Sequence, residues 1–354
     1  MNEFDSIIGN EQIKRYLIRM VETKSLGTSL LFTGPDGIGK SLFAKALATL
    51  LLGSENHPDL HLYYPEGKIG LHSINSMRQF SQEVYLAPYQ GQKKVFIIHN
   101  AERMLPYSSN ALLKTFEEPA EDAVIILISS KPEALLPTIL SRCRTIHFQS
   151  LADIEIAMAL NSRWGQSEQN AKKLATLARG SLGNALRLQR GEGNELREMI
   201  LAILSKGKMQ MYKELSEGAE AISAKIDLLK KKCEESLQQE IIRIPQENLS
   251  AIQLQSFEKE IDGMAAMHMM NDAQALFDVI IGWYRDLELL HVNGNREYLF
   301  HRDFEPQLEQ SLQRGEILPL ETVQKAIVQA RLSLERSTSL NLCLETLFLQ
   351  LNLL

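Results

Sequence analysis

The stretch Gly34-Pro-Asp-Gly-Ile-Gly-Lys-Ser41 constrains this chain more than any other. It fits the phosphate-loop pattern at every fixed position: a glycine, four free positions, then Gly-Lys and a hydroxyl residue. Before it, Ser29–Thr33 is a short apolar run suited to a buried parallel strand. After it, Leu42, Phe43, Ala46, Leu47, Leu50 and Leu51 follow helical spacing. Strand, glycine turn and helix is the order that phosphate binding needs. Glycines let the backbone wrap closely round phosphate oxygens. The free amides and dipole of the helix start favour the anion. Lys40 supplies a point charge to the outer phosphates, and the Ser41 hydroxyl suits Mg²⁺.

The flanking pattern predicts an α/β class. A lead-in with Phe4, Ile7, Ile8 and Gly9 precedes a helix from about Asn10, with Ile13, Leu17 and Met20 on one face. Gly53–Gly67 reads as loop, and His57 and His61 within it as solvated side chains. Ile74, Met77, Phe80 and Val84 mark a helix, and Val95–Ile98 a second buried strand. A helix containing Ala111, Leu113 and Phe116 stops before Pro119. Val124–Ile128 is a third strand, Leu135–Leu140 a short helix, and Arg144–Phe148 a fourth strand. Such alternation predicts a parallel sheet covered on both faces, with ligands at the carboxyl ends of its strands. There the phosphate loop, His99-Asn100, Ser129-Ser130 and the loop near Arg142 are expected to converge. Beyond Leu151 the pattern is helical. The expected domains are a nucleotide-binding α/β domain over 1–150, a small helical lid over 151–194 and an all-α domain over 195–354. The last helix carries Leu340, Leu344, Leu347, Phe348 and Leu351 on a stripe too apolar to stand alone.

Composition limits the function classes. A length of 354 residues and 44 % hydrophobic content suit two or three globular domains. The net charge of −6 argues against a free-standing nucleic-acid binder. Cys143, Cys233 and Cys343 lie far apart, without metal-ligand spacing. They suggest a reducing cytoplasm and no zinc site. There is no signal segment and no apolar run long enough for a membrane.

Hydrolysis at a phosphate loop also needs an acidic residue at the end of a neighbouring strand to hold Mg²⁺, and usually a second to orient water. Here Val95–Ile98 is followed by His99 and Asn100. Imidazole is a poor partner for that hard cation, and Asn100 cannot accept a proton from water. Glu102 sits deeper in the next turn. These residues predict a pocket that grips ATP or ADP, with Mg²⁺ at most through Ser41, and cleaves it little or not at all. Arg142, in the loop after Leu140, reads either as one half of a surface salt bridge or as a planar fork suited to phosphate charge across a subunit boundary.

Together these residues resemble the clamp-loader branch of the AAA+ ATPases. The matching stretches are Phe4-x-x-Ile-Ile-Gly9, Gly34–Ser41, Ala111–Pro119, Ile128-Ser-Ser130 and Leu136-Pro-Thr-Ile-Leu-Ser-Arg-Cys143, with Ala330-Arg331 and Asn341-x-Cys-Leu-Glu345 similar to the family's C-terminal collar. The resemblance implies a P-loop AAA+ domain with a parallel sheet, a small helical lid and an all-α collar. It implies a five-subunit ring, with gamma/tau and delta subunits as partners, that loads a sliding clamp on primer-template DNA. It implies Ile8 and Gly9 near adenine and Gly34, Asp36, Gly37, Gly39, Lys40 and Ser41 around the phosphates. Ser130 would be a phosphate sensor and Arg142 the trans-acting arginine finger. Motor subunits of the family carry Asp-Glu where this chain has His99-Asn100, and a lid arginine where it has Gly183. Both departures point to a ring member that hydrolyses little or nothing. The family's four-cysteine zinc module is missing, and a polymerase-tethering tail is not expected. The alternative is an active gamma/tau-type motor.

Overall fold

The computed structural model describes residues 3–105, 109, 112–191, 194–242, 251–315 and 318–354. Ala111, expected in a helix, lies outside the described residues. The chain divides into two compact units, one of Met1–Gln189 with Leu254–Met264, the other of Arg190–Gln253 with Ala265–Leu354.

The first unit is built on five strands: β1 (Ser29–Thr33), β2 (Leu60–Tyr63), β3 (Lys94–Ile98), β4 (Ala123–Ser129) and β5 (Arg144–His147). All pairings are parallel, in the order β2-β3-β4-β1-β5. Every residue of β1, β3 and β4 is buried, which is why those segments read as unbroken apolar runs. Alternate side chains serve opposite faces. Leu30, Phe32, Val95, Ile97, Val124 and Ile126 share one core with Leu17 and Met20 of α1 (Glu11–Glu22) and Phe43 and Leu47 of α2 (Lys40–Leu52). Leu31, Phe96, Ile98, Ile125 and Leu127 share the other with Met77 and Phe80 of α3 (Ile74–Glu83), Phe116 of α4 (Leu113–Glu117) and Ile139 of α5 (Pro137–Leu140). Each such large side chain contributes about 1.5–3 kcal/mol by leaving water.

One element departs from the sequence reading. Leu60–Tyr63, expected to be loop, is a fifth strand paired with β3. It is an edge strand and only half-buried, so it lacks the apolar run that reveals its neighbours. His57 and His61 are correspondingly not solvated loop side chains. His57 Nδ1 is 3.6 Å from Asp59, and His61 stacks on Phe96 with ring centroids 4.8 Å apart.

Three helices follow the sheet: α6 (Asp153–Trp164), α7 (Glu168–Ala178) and α8 (Leu182–Gln189). They bury a core of their own, with Leu151, Ile156, Leu160, Ala171, Leu174 and Ala185. The Ser167 hydroxyl caps α7 by accepting the Asn170 amide.

Among its described residues the second unit has helices joined by turns and no strand. It draws on α9 (Asn194–Lys206), α10 (Tyr212–Ile242), α11 (Ala251–His291), α12 (Glu305–Gln313), α13 (Leu320–Glu335) and α14 (Leu340–Gln350). The apolar stripe of α14 is buried within this unit, packed with Phe277, Trp283 and Ile327 among others. Among the described residues no helix is long and apolar enough to cross a membrane.

Candidate functional site

At the carboxyl end of β1 the chain turns through Gly34, Gly37 and Gly39, all with positive φ, into α2. Gly39 holds the N-cap position at φ 98° and carries no side chain to cap the helix. The first-turn amides of α2 therefore keep their donors for an incoming anion. Lys40 is 5 % exposed. Its ammonium donates to the carbonyls of Gly34 and Pro35, the latter at 2.7 Å, and lies 3.7 Å from Asp36. Burial pushes its pKa down, against the pull of Asp36 and Glu102. The loop thus uses the lysine as its own internal brace, and Lys40 also lines the cleft above the loop.

This loop forms the floor of a cleft of about 310 Å³, near the lower end for small-ligand sites. Ile7, Ile8, Ile128, Leu151, Leu182 and Leu186 supply an apolar wall, and His99, Asn100 and Gly183 complete the lining with the loop. Ile8 also packs on the core of α6–α8. Gly9 is a glycine for a steric reason: a Cβ there would stand 2.0 Å from Leu151 Cδ2. The Gly183 amide donates to the Gly37 carbonyl at 2.9 Å, and a Cβ on Gly183 would meet Gly37 Cα at 3.0 Å. The lid glycine is therefore a close-approach residue.

The carboxyl end of β3 differs from a hydrolytic site. His99 Nδ1 lies 3.3 Å from Ser41 Oγ. The ring stacks on Tyr64, centroids 4.3 Å apart and planes 12° from parallel. The His99 carbonyl accepts from His72 Nε2 at 2.7 Å. Burial, then the charge of Lys45 and then His72, lower the His99 pKa to about 3, so the imidazole is neutral at pH 7. Burial likewise lowers His72 to about 4. Asn100 follows with φ 48°, a left-handed conformation that asparagine tolerates better than most residues.

Ser130 and Arg142 do not join the lining of the cleft. The Ser130 hydroxyl donates to Glu102 Oε1 at 3.0 Å. Arg142 donates to Glu117 Oε1 at 2.8 Å and to the Thr138 carbonyl at 2.9 Å, on a side chain about one-third exposed. Of the residues expected at the strand ends, the phosphate loop and His99-Asn100 line the cleft, and Ser130 and Arg142 are not among its lining residues. Glu102, which looked too deep in its turn to matter, is the acceptor of the expected sensor hydroxyl, and its Oε2 is buried without a partner. Tyr64 and Glu102 carry no motif of their own, and Glu117 lies in the Ala111–Pro119 stretch with nothing there to mark it as a partner of Arg142. Only the fold brings them to the site residues.

Magnesium fits this donor set poorly. The loop hydroxyl is paired with a neutral nitrogen ring, where this hard cation takes oxygen ligands.

Residues 9–152 match the family described as "DNA polymerase III, delta subunit". The chain is 35 % identical over 159 residues to DNA polymerase III subunit delta' of Bacillus subtilis, covering 40 % of this chain and 47 % of that one. It is 30 % identical over 208 residues to subunit delta' of Pseudomonas aeruginosa, covering 52 % and 62 %. With subunit gamma/tau of Mycoplasma pneumoniae it shares 27 % over 209 residues, covering 52 % and 30 %. Each match thus spans less than two thirds of the relative's own length, and about half of the Bacillus subtilis chain.

Proposed function

We propose, from the premise that this chain is of the DNA polymerase III delta-prime type over residues 9–152, that it is a clamp-loader subunit lending an arginine to a neighbour. Its partners are gamma/tau and delta subunits, and through the assembled ring a sliding clamp and primer-template DNA. The α/β domain presents Arg142 to a sister subunit's ATP. The lid, residues 151–194, sets that domain's orientation, and residues 195–354 form the collar. The chain's own cleft holds ATP or ADP with little or no turnover.

The observation that carries this reading is the pairing of Ser41 with His99. The strand end that would hold a metal-binding carboxylate holds a neutral ring instead. Arg142 supports it from the other side, being exposed and not among the residues that line its own cleft. The test is reconstitution with gamma/tau and delta subunits. Arg142→Ala should leave this chain folded and lower ATP turnover by the complex, and unchanged turnover would remove the finger role.

One observation favours a second reading, an active motor of the gamma/tau type. The Glu102 carboxylate is within electrostatic reach of Lys40 and has a buried oxygen without a partner, as a water-orienting acid would. Steady phosphate release by the purified chain, lost in Lys40→Ala and in Glu102→Gln, would establish that reading. Negligible release is the expected result.

A further inference from the structure

We infer that the phosphate-loop cleft binds a nucleotide polyphosphate free of any divalent cation, with protein donors alone holding its phosphates. This rests on the reading of the cleft as a nucleotide site. Magnesium at a phosphate loop takes oxygen ligands: the loop hydroxyl, phosphate oxygens and water, backed by a strand-end carboxylate. In this chain the hydroxyl of Ser41 is 3.3 Å from His99 Nδ1, and His99 occupies the strand end where that carboxylate would stand. In either tautomer the ring offers no oxygen and no negative charge.

The ring is also fixed in place. His99 is 7 % exposed, stacked on Tyr64, and tethered through its carbonyl to His72. It lines the cleft, yet its Nε2 is buried without a hydrogen-bond partner. Of the nearby acids, Asp36 is mostly exposed and lies beside Lys40, and Glu102, three residues beyond His99, gives one oxygen to Ser130 and keeps the other buried without a partner. What remains to meet phosphate charge is the Lys40 ammonium and the uncapped first turn of α2, which is thirteen residues long.

Equilibrium dialysis of the full chain against labelled ADP and ATP, in magnesium chloride and in EDTA, tests this. Affinity in EDTA should equal or exceed that in magnesium, because a metal-complexed nucleotide must shed its ion to enter. His99→Asp restores the strand-end carboxylate and should make binding about tenfold tighter with magnesium than without. If that variant does not fold, as judged by circular dichroism, the wild-type pair of measurements still decides. Wild-type binding that falls about tenfold or more in EDTA overturns the inference while leaving the nucleotide site standing. If Glu102→Gln then abolishes the magnesium effect, Glu102 is the cation's partner. Absence of binding in both buffers overturns the inference and the nucleotide-site reading together.

Discussion

Lys40 and Arg142 are two cations of the same unit in opposite conditions. Lys40 is buried and answers to the carbonyls of its own loop. Arg142 is about a third exposed, and its partner Glu117 is about half exposed. Withdrawing a cation from a buried, fully bonded position costs several kcal/mol. An exposed ion pair is worth roughly 0–1 kcal/mol, so breaking it to meet another anion costs little. The difference separates a group held fast by its own loop from one whose surface pairing costs little to break.

The largest test of that contrast lies at the exposed end. In an assembled ring, Arg142→Ala should slow the site that receives the arginine by about 10³-fold or more, measured as single-site ATP turnover. Equal loss from Lys40→Ala, with no loss from Arg142→Ala, would reverse the assignment of roles.

Acid comes next, and it probes the buried end. His99 and His72 have folded pKa values lowered to about 3 and about 4 from the ordinary histidine value of 6.5. Above pH 6.5 they are neutral in both folded and unfolded chains and contribute no pH dependence. Below it the unfolded chain takes up protons first. Stability should therefore fall as pH drops from about 6.5 toward 4, by up to about 1.4 kcal/mol per pH unit for each ring. Urea unfolding across that range should show the slope, and His99→Asn should remove the His99 share of it while leaving that of His72.

Smaller effects sharpen the picture. Gly183→Ala places a methyl 3.0 Å from Gly37 Cα and should destabilise the lid's seat on the loop by about 1–3 kcal/mol, seen as faster exchange of the Gly183 amide. Glu117→Gln should change stability by less than about 0.5 kcal/mol. A larger loss would mean that Arg142 is a structural brace.

Legibility in the sequence followed burial. The strands β1, β3 and β4 were readable because both faces are covered and every position is apolar or nearly so. Leu60–Tyr63 escaped because an edge strand needs only partial burial, and two of its four residues are His61 and Tyr63. The phosphate loop was readable because its chemistry is contiguous. The partners of Ser130 and Arg142 were not, since Glu102 is 28 positions from Ser130 and Glu117 is 25 from Arg142. The replacement of acids by His99-Asn100 was visible as a departure. That the imidazole meets Ser41 was visible only in three dimensions.

The main-chain bond between Gly183 and Gly37 makes position 183 answer to two backbones at once. Any side chain there, an arginine included, would bring its Cβ to 3.0 Å from Gly37 Cα, so loop and lid would have to part by a few tenths of an ångström to admit it. The first carbon would thus be felt in the seam between loop and lid before the far end of the side chain reached into the cleft.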